Sequence, residues 1–136
     1  MPTPSSTSQA TYDYAYLRVV PRVEVEEFLN AGVILFCREK RFLGARIVFD
    51  AQRASALAPR LDVELAQEQL DLITRICAGE GPVGQLGQAE VFHWVVAPHS
   101  TVIQASAVHS GLCSDPLAVL EKLAAALRSE QTPIHN

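Results

Sequence analysis

Five consecutive apolar residues, Val33-Ile34-Leu35-Phe36-Cys37, constrain this chain more than any other stretch. Strand side chains alternate between the two faces of a sheet, so an unbroken apolar run predicts a central strand covered on both sides. The charged tetrad Arg38-Glu39-Lys40-Arg41 follows, and Phe42 to Phe49 is apolar again. Together they predict a hairpin with a long loop, ended by Asp50. Two amphipathic stripes need the same sheet for cover. Asp62 caps a predicted helix over 63–78, with Leu65, Ala66, Leu70, Ile73, Ile76 and Cys77 on one face and Gly79 as its stop. Asp115-Pro116 is the start of a second: a capping carboxylate, then proline at the first helical position. Leu117, Leu120, Leu123, Ala124 and Leu127 recur behind it at helical spacing. The expected fold is α+β: a mainly antiparallel sheet of four or five strands, with both main helices packed on one face.

The remaining segments are read more locally. Tyr12 to Val20 is aromatic and β-branched, which predicts a strand with Tyr12, Tyr14 and Tyr16 on one face and Pro21 at its end. Arg22 to Asn30 fits either state. Val23 and Val25 alternate with glutamates, but Glu26-Glu27-Phe28-Leu29 before Asn30-Ala31-Gly32 favours a short helix. The glycine-rich stretch 80–87 lacks the Lys-Ser/Thr of a phosphate-binding loop and is read as a connection. Residues 90–97 and 102–108 are read as strands joined by Pro98-His99-Ser100-Thr101. One globular domain is expected over 12–128, with loose tails at 1–11 and 129–136.

Composition narrows the function classes. With 136 residues the chain suits one core, and 49% hydrophobic against 19% charged residues is ordinary for a folded domain. A net charge of −4 argues against nucleic-acid binding, which needs a positive footprint. Met1-Pro2 leads into a polar Ser/Thr run, so no signal peptide is expected. The apolar runs fall far short of the roughly 20 residues that span a bilayer. The expected location is the cytoplasm, and whether the chain self-associates is left open. Cys37, Cys77 and Cys113 are odd in number and form no C-x-x-C pair, so they read as free thiols, the first two as plain core.

Chemistry-bearing residues concentrate between His93 and Pro116, which hold three of the four histidines, the only tryptophan and Cys113. His93, His99, His109 and Cys113 are suitable zinc ligands, but their spacing fits no zinc motif, and neither metal nor cofactor is expected. His109, Cys113 and Asp115 are the residue types of a base, a thiolate and an orienting carboxylate, and are the catalytic candidates. Asp115 has the competing role of helix cap. Ser100-Thr101 lies in no nucleophile elbow and reads as turn chemistry after Pro98. Glu24, Glu26 and Glu27 read as a solvated face, and Arg38, Lys40, Arg41 and Arg46 as charges guarding a hairpin edge. No catalytic set is compelling. The expectation is therefore a non-enzymatic protein-binding or regulatory module, with His99, Ser100, Thr101, Gln104 and His109 as contact residues. The alternatives are a small hydrolase or transferase using the His99–Asp115 region, and a ligand sensor with a pocket behind that loop.

Several of these runs also resemble a known family. Tyr12-Asp13-Tyr14, Arg18-Val19-Val20-Pro21-Arg22 and Glu27 to Phe36 look like motifs of a bacterial family of domains of unknown function, number 3037. So do Ala97-Pro98-His99-Ser100-Thr101-Val102-Ile103-Gln104, Val108-His109-Ser110-Gly111 and Asp115-Pro116. The likeness covers about residues 12–128. It departs at position 99, His where the pattern has Arg, and at position 31, Ala where it has Val. The first puts a shared anion-binding role of that loop in doubt; the second changes packing. The resemblance implies a bacterial, soluble, single-domain protein. It also implies a regulatory or complex-forming role beside a kinase-like partner related to toxin kinases.

Overall fold

The computed structural model describes residues 8–22 and 27–131. Strand β1, Ala10–Arg22, is the spine of one antiparallel sheet. It pairs with β2, Glu27–Cys37, which pairs in turn with β3, Phe42–Ile47. On its other side β1 meets two short strands, β4 (Ile103–Ala105) and β5 (His109–Cys113). These two form one edge strand with a break in it. Leu17 to Val19 face β4, and Ala10 to Tyr14 face β5. Buried Ser106 holds the break. Its hydroxyl accepts from the Tyr16 amide at 2.9 Å and donates to the Ala107 carbonyl at 2.9 Å. Its own amide donates to the Tyr16 carbonyl at 2.9 Å, so β1 loses no hydrogen bond there.

Alternation along the strands separates two cores. Ala15, Leu17, Val19, Ile34 and Phe36 point to the face covered by α2 (Val63–Cys77) and α4 (Gln88–Val96). Val33 and Leu35 point the other way, against Leu120, Ala124 and Leu127 of α5, Pro116–Gln131. Tyr12, Tyr14 and Tyr16 share that second face, their rings 5.8 and 5.7 Å apart in sequence. Two smaller helices, α1 (Ala51–Leu57) and α3 (Gly81–Gly84), complete the described chain. Asp50 caps α1 by accepting from the Arg53 amide at 3.1 Å, and Asp62 caps α2 by accepting from Leu65 at 3.0 Å. Gly79, at φ 97°, takes the left-handed turn that ends α2.

The antiparallel α+β expectation stands, but the two main helices lie on opposite faces rather than one. The apolar run at 33–37 requires this: a strand buried on both sides needs a cover on each. Four local readings change as well. The expected helix near 27–30 is the start of β2. There Asn30 and Leu29 pair with Arg18 and Val19, the Arg18 guanidinium sits 4.1 Å over the Phe28 ring, and its Nε donates to Asn30 Oδ1 at 3.3 Å. Pairing and side-chain contacts override a weak local preference. Residues 23–26 of that reading, with Glu24 and Glu26, lie outside the described residues. The expected strand at 90–97 is helix α4. Its helical period gathers Val91, Phe92 and Val95 inward, and Phe92 stacks on Phe36 with ring centres 5.8 Å apart.

The expected strand at 102–108 is the shorter β4, and β5 is an additional strand. The connection at 80–87 contains one turn of helix, α3. β1 begins at Ala10, two residues inside the expected tail, and runs past Pro21 through a register irregularity between Val19 and Arg22. α5 continues to Gln131; residues 1–7 and 132–136 lie outside the described residues. Among the described residues no helix is long and apolar enough to cross a membrane.

Candidate functional site

The fold cuts the 93–116 segment into two parts on opposite faces of the sheet. The first part closes α4. His99 folds back on the helix end, its Nε2–H donating to the Val95 carbonyl at 3.1 Å. Its ring stacks on Trp94 at 4.2 Å between centres and 15° between planes. Ser100 then ties the turn to α2. Its hydroxyl donates to Gln69 Oε1 and accepts from the Val102 and Ile103 amides, both at 3.1 Å. With three hydrogen bonds and no base beside it, this hydroxyl is a fastener, as turn chemistry predicts. Thr101 is exposed next to it.

These residues wall an open groove of about 450 Å³. Its second wall is α2, through Leu65, Gln69 and Leu72. Leu65 and Leu72, two turns apart on α2, are exposed by 36% and 44%. One position before each wall residue stand Glu64, Glu68 and Asp71, all exposed. The groove therefore has an apolar wall with an acidic border. Sequence reading placed Leu65 in the buried stripe and passed over Gln69 and Leu72. The available signal was Leu72, two turns on from Leu65 on the same side of α2, which widens the apolar face beyond the core residues.

The second part of the segment faces α5. Gln104 is exposed on β4, on the opposite side from buried Ile103 and paired across to Arg18. His109 is exposed on β5, its ring 5.4 Å from that of Tyr14. Of the five expected contact residues, then, His99, Ser100 and Thr101 share the groove, while Gln104 and His109 lie across the sheet.

The three catalytic candidates do not converge. His109 and Cys113 occupy opposite ends of β5, about 13 Å apart at roughly 3.3 Å per strand residue. Cys113 is buried with Cys37 and Ala10. Burial pushes its thiol up, with the neighbouring Cys37 adding to the effect. Half-buried Cys77 is likewise pushed up by desolvation, to about 12. A raised thiol is the opposite of what a nucleophile needs. Asp115 Oδ1 accepts from the Ala118 amide at 3.3 Å, the cap its position predicted. Asp115→Ala is expected to cost about 0.5–2 kcal/mol in denaturant unfolding, with binding at the groove unchanged once the protein is folded.

Among the described residues no group of three His, Cys, Asp or Glu side chains could hold a metal ion. Of the basic set, Arg46 pairs with Glu121 across β3 and α5, and Arg38 sits 5.5 Å over the Phe36 ring.

Residues 14–127 match the family described as Protein of unknown function (DUF3037). The chain belongs to this family. The DUF3037 match takes in both walls of the groove, from α2 to the turn at Ser100. Of the two positions expected to depart from the family pattern, His99 stacks on Trp94, and Ala31 is fully buried in the α2-side core. No curated protein and no solved structure matches the chain.

Proposed function

We propose that this DUF3037 protein is a non-enzymatic, cytoplasmic protein-binding module that takes an apolar, positively charged segment of a partner in the groove between α2 and the Trp94–Thr101 turn. The observation that carries this reading is the pairing of exposed Leu65 and Leu72 with the Glu64, Glu68 and Asp71 border. Leucines in an open groove gain by burial against an apolar partner side chain. Three carboxylates on successive turns select lysine or arginine beside it, setting register and approach rate more than raw affinity. The stacked Trp94 and His99 supply a rigid wall, the kind of surface that anchors interfaces. The partner implied by the family resemblance is kinase-like. The module itself is the single α+β unit expected over 12–128.

Trp94 is the only tryptophan, so its fluorescence reports the groove directly. A short amphipathic peptide of leucine and lysine is expected to shift that emission saturably, and less at high salt. A leucine–glutamate peptide of the same length should not. Leu72→Gln and Glu68→Lys should each weaken the lysine peptide by about tenfold, the scale of one interface residue. Equal responses to the two peptides, or no saturable change, would contradict the reading.

A further inference from the structure

A second, smaller pocket of about 170 Å³ lies where the ends of β2, α1 and α5 meet. Phe28, Phe49 and Leu57 give it an apolar wall, and Arg53 and Glu130 give it charge of both signs. Among the described residues, the Nη1 atom of half-exposed Arg53 is buried and has no hydrogen-bond partner. A buried cationic donor left without an acceptor is costly, and it points to a group that the described residues do not supply. Asp50, also in the lining, is engaged in capping α1.

The balance of charge narrows the ligand. A simple carboxylate would satisfy Arg53 but would face Asp50 and Glu130 together. A simple amine would suit the two carboxylates but leave Arg53 without an acceptor. A zwitterion satisfies both. Size suits the side chain: an apolar cavity of about 150 Å³ holds a benzene-sized group. We propose that this pocket binds a free α-amino acid with an apolar side chain. Its carboxylate lies on the Arg53 guanidinium, its ammonium on Glu130, and its side chain against Phe28, Phe49 and Leu57. Arginine suits the first role because its planar fork matches a carboxylate with two parallel hydrogen bonds. The site shares no lining residue with the groove, so it stands or falls independently of the binding reading.

Calorimetric titration of the full chain with L-leucine and L-phenylalanine tests this. Saturable binding is expected for at least one of them, at a dissociation constant of about 1 mM or tighter. Isopentylamine and 4-methylpentanoate, which each lack one charge of leucine, should bind at least about tenfold more weakly. Arg53→Gln should weaken the amino acid by a similar factor. Glu130→Gln, at an exposed position that leaves the core untouched, should do the same and keeps the test open if Arg53→Gln fails to fold. The proposal is overturned if neither amino acid binds at about 10 mM. It is also overturned if leucine binds folded Arg53→Gln or Glu130→Gln unchanged, or if the amine or the acid binds as tightly as leucine.

Discussion

Phe92→Ala is expected to destabilise the protein by about 3–5 kcal/mol, read as a lower denaturant midpoint at unchanged slope. Phe92 is 2% exposed and stacks on Phe36, between α4 and β2. Removing the ring loses its burial and leaves a cavity that neighbours on both elements fill only in part. The pattern along the segment is more telling than the single value. In a helix Val91, Phe92 and Val95 face inward together, so alanine at each should be costly, while exposed His93→Ala should stay within about 0.5 kcal/mol. A strand would instead group Phe92 with Trp94 and Val96 and set Val91 with His93. A costly His93→Ala, or a neutral Val95→Ala, would contradict the helix.

Leu120→Ala is the corresponding test of the other face, with an expected loss of about 2–5 kcal/mol. Leu120 is fully buried against Val33 and Leu35 and lies over Gly44 in β3. A Cβ at Gly44 would come within 2.9 Å of Leu120 Cδ2 and equally close to the Phe42 ring. Gly44 is thus small so that α5 can lie close to the hairpin. Gly44→Ala alone should crowd both neighbours, at a cost of about 1–3 kcal/mol. Combined with Leu120→Ala, part of that crowding disappears, so the double variant should lose less than the sum of the singles. Strict additivity would mean that Leu120 does not sit over Gly44.

These two faces show what was legible in the residues. The run at 33–37 called for a sheet covered on both sides, and the stripes around Leu70 and Leu120 marked the two helices, but both were read onto one face where the structure puts one on each. Both caps, Asp62 and Asp115, were readable because capping is local chemistry. α4 was not. Its N-cap is Gly87, with no side-chain hydrogen bond to mark the start, and nine residues leave little room to tell a helical period from alternation. The start of β2 was hidden for a different reason: its stability comes from Arg18 and β1, which are distant in sequence. Ser106 passed unnoticed because a lone serine signals nothing until β1 lies beside it. The same holds for the candidate site. The 93–116 segment stood out by composition, but its division across the sheet comes where the chain leaves the turn after α4 and joins β1 as β4, a pairing distant in sequence. The groove's other wall, Gln69 and Leu72, lies on a helix read only for its core.

Whether this segment does chemistry or only shapes a contact surface is decided most directly by the alkylation rate of Cys113 in native protein. Site-resolved labelling with iodoacetamide from about pH 6 to 9 separates the two cases, because only the thiolate reacts. Cys113 is 5% exposed, and burial raises its thiol above the ordinary range. The expected result is slow labelling, no faster than at Cys37 or Cys77, rising with pH across the whole range. Fast labelling of Cys113 alone, unchanged down to about pH 6, would show a stabilised thiolate and contradict the contact-surface reading.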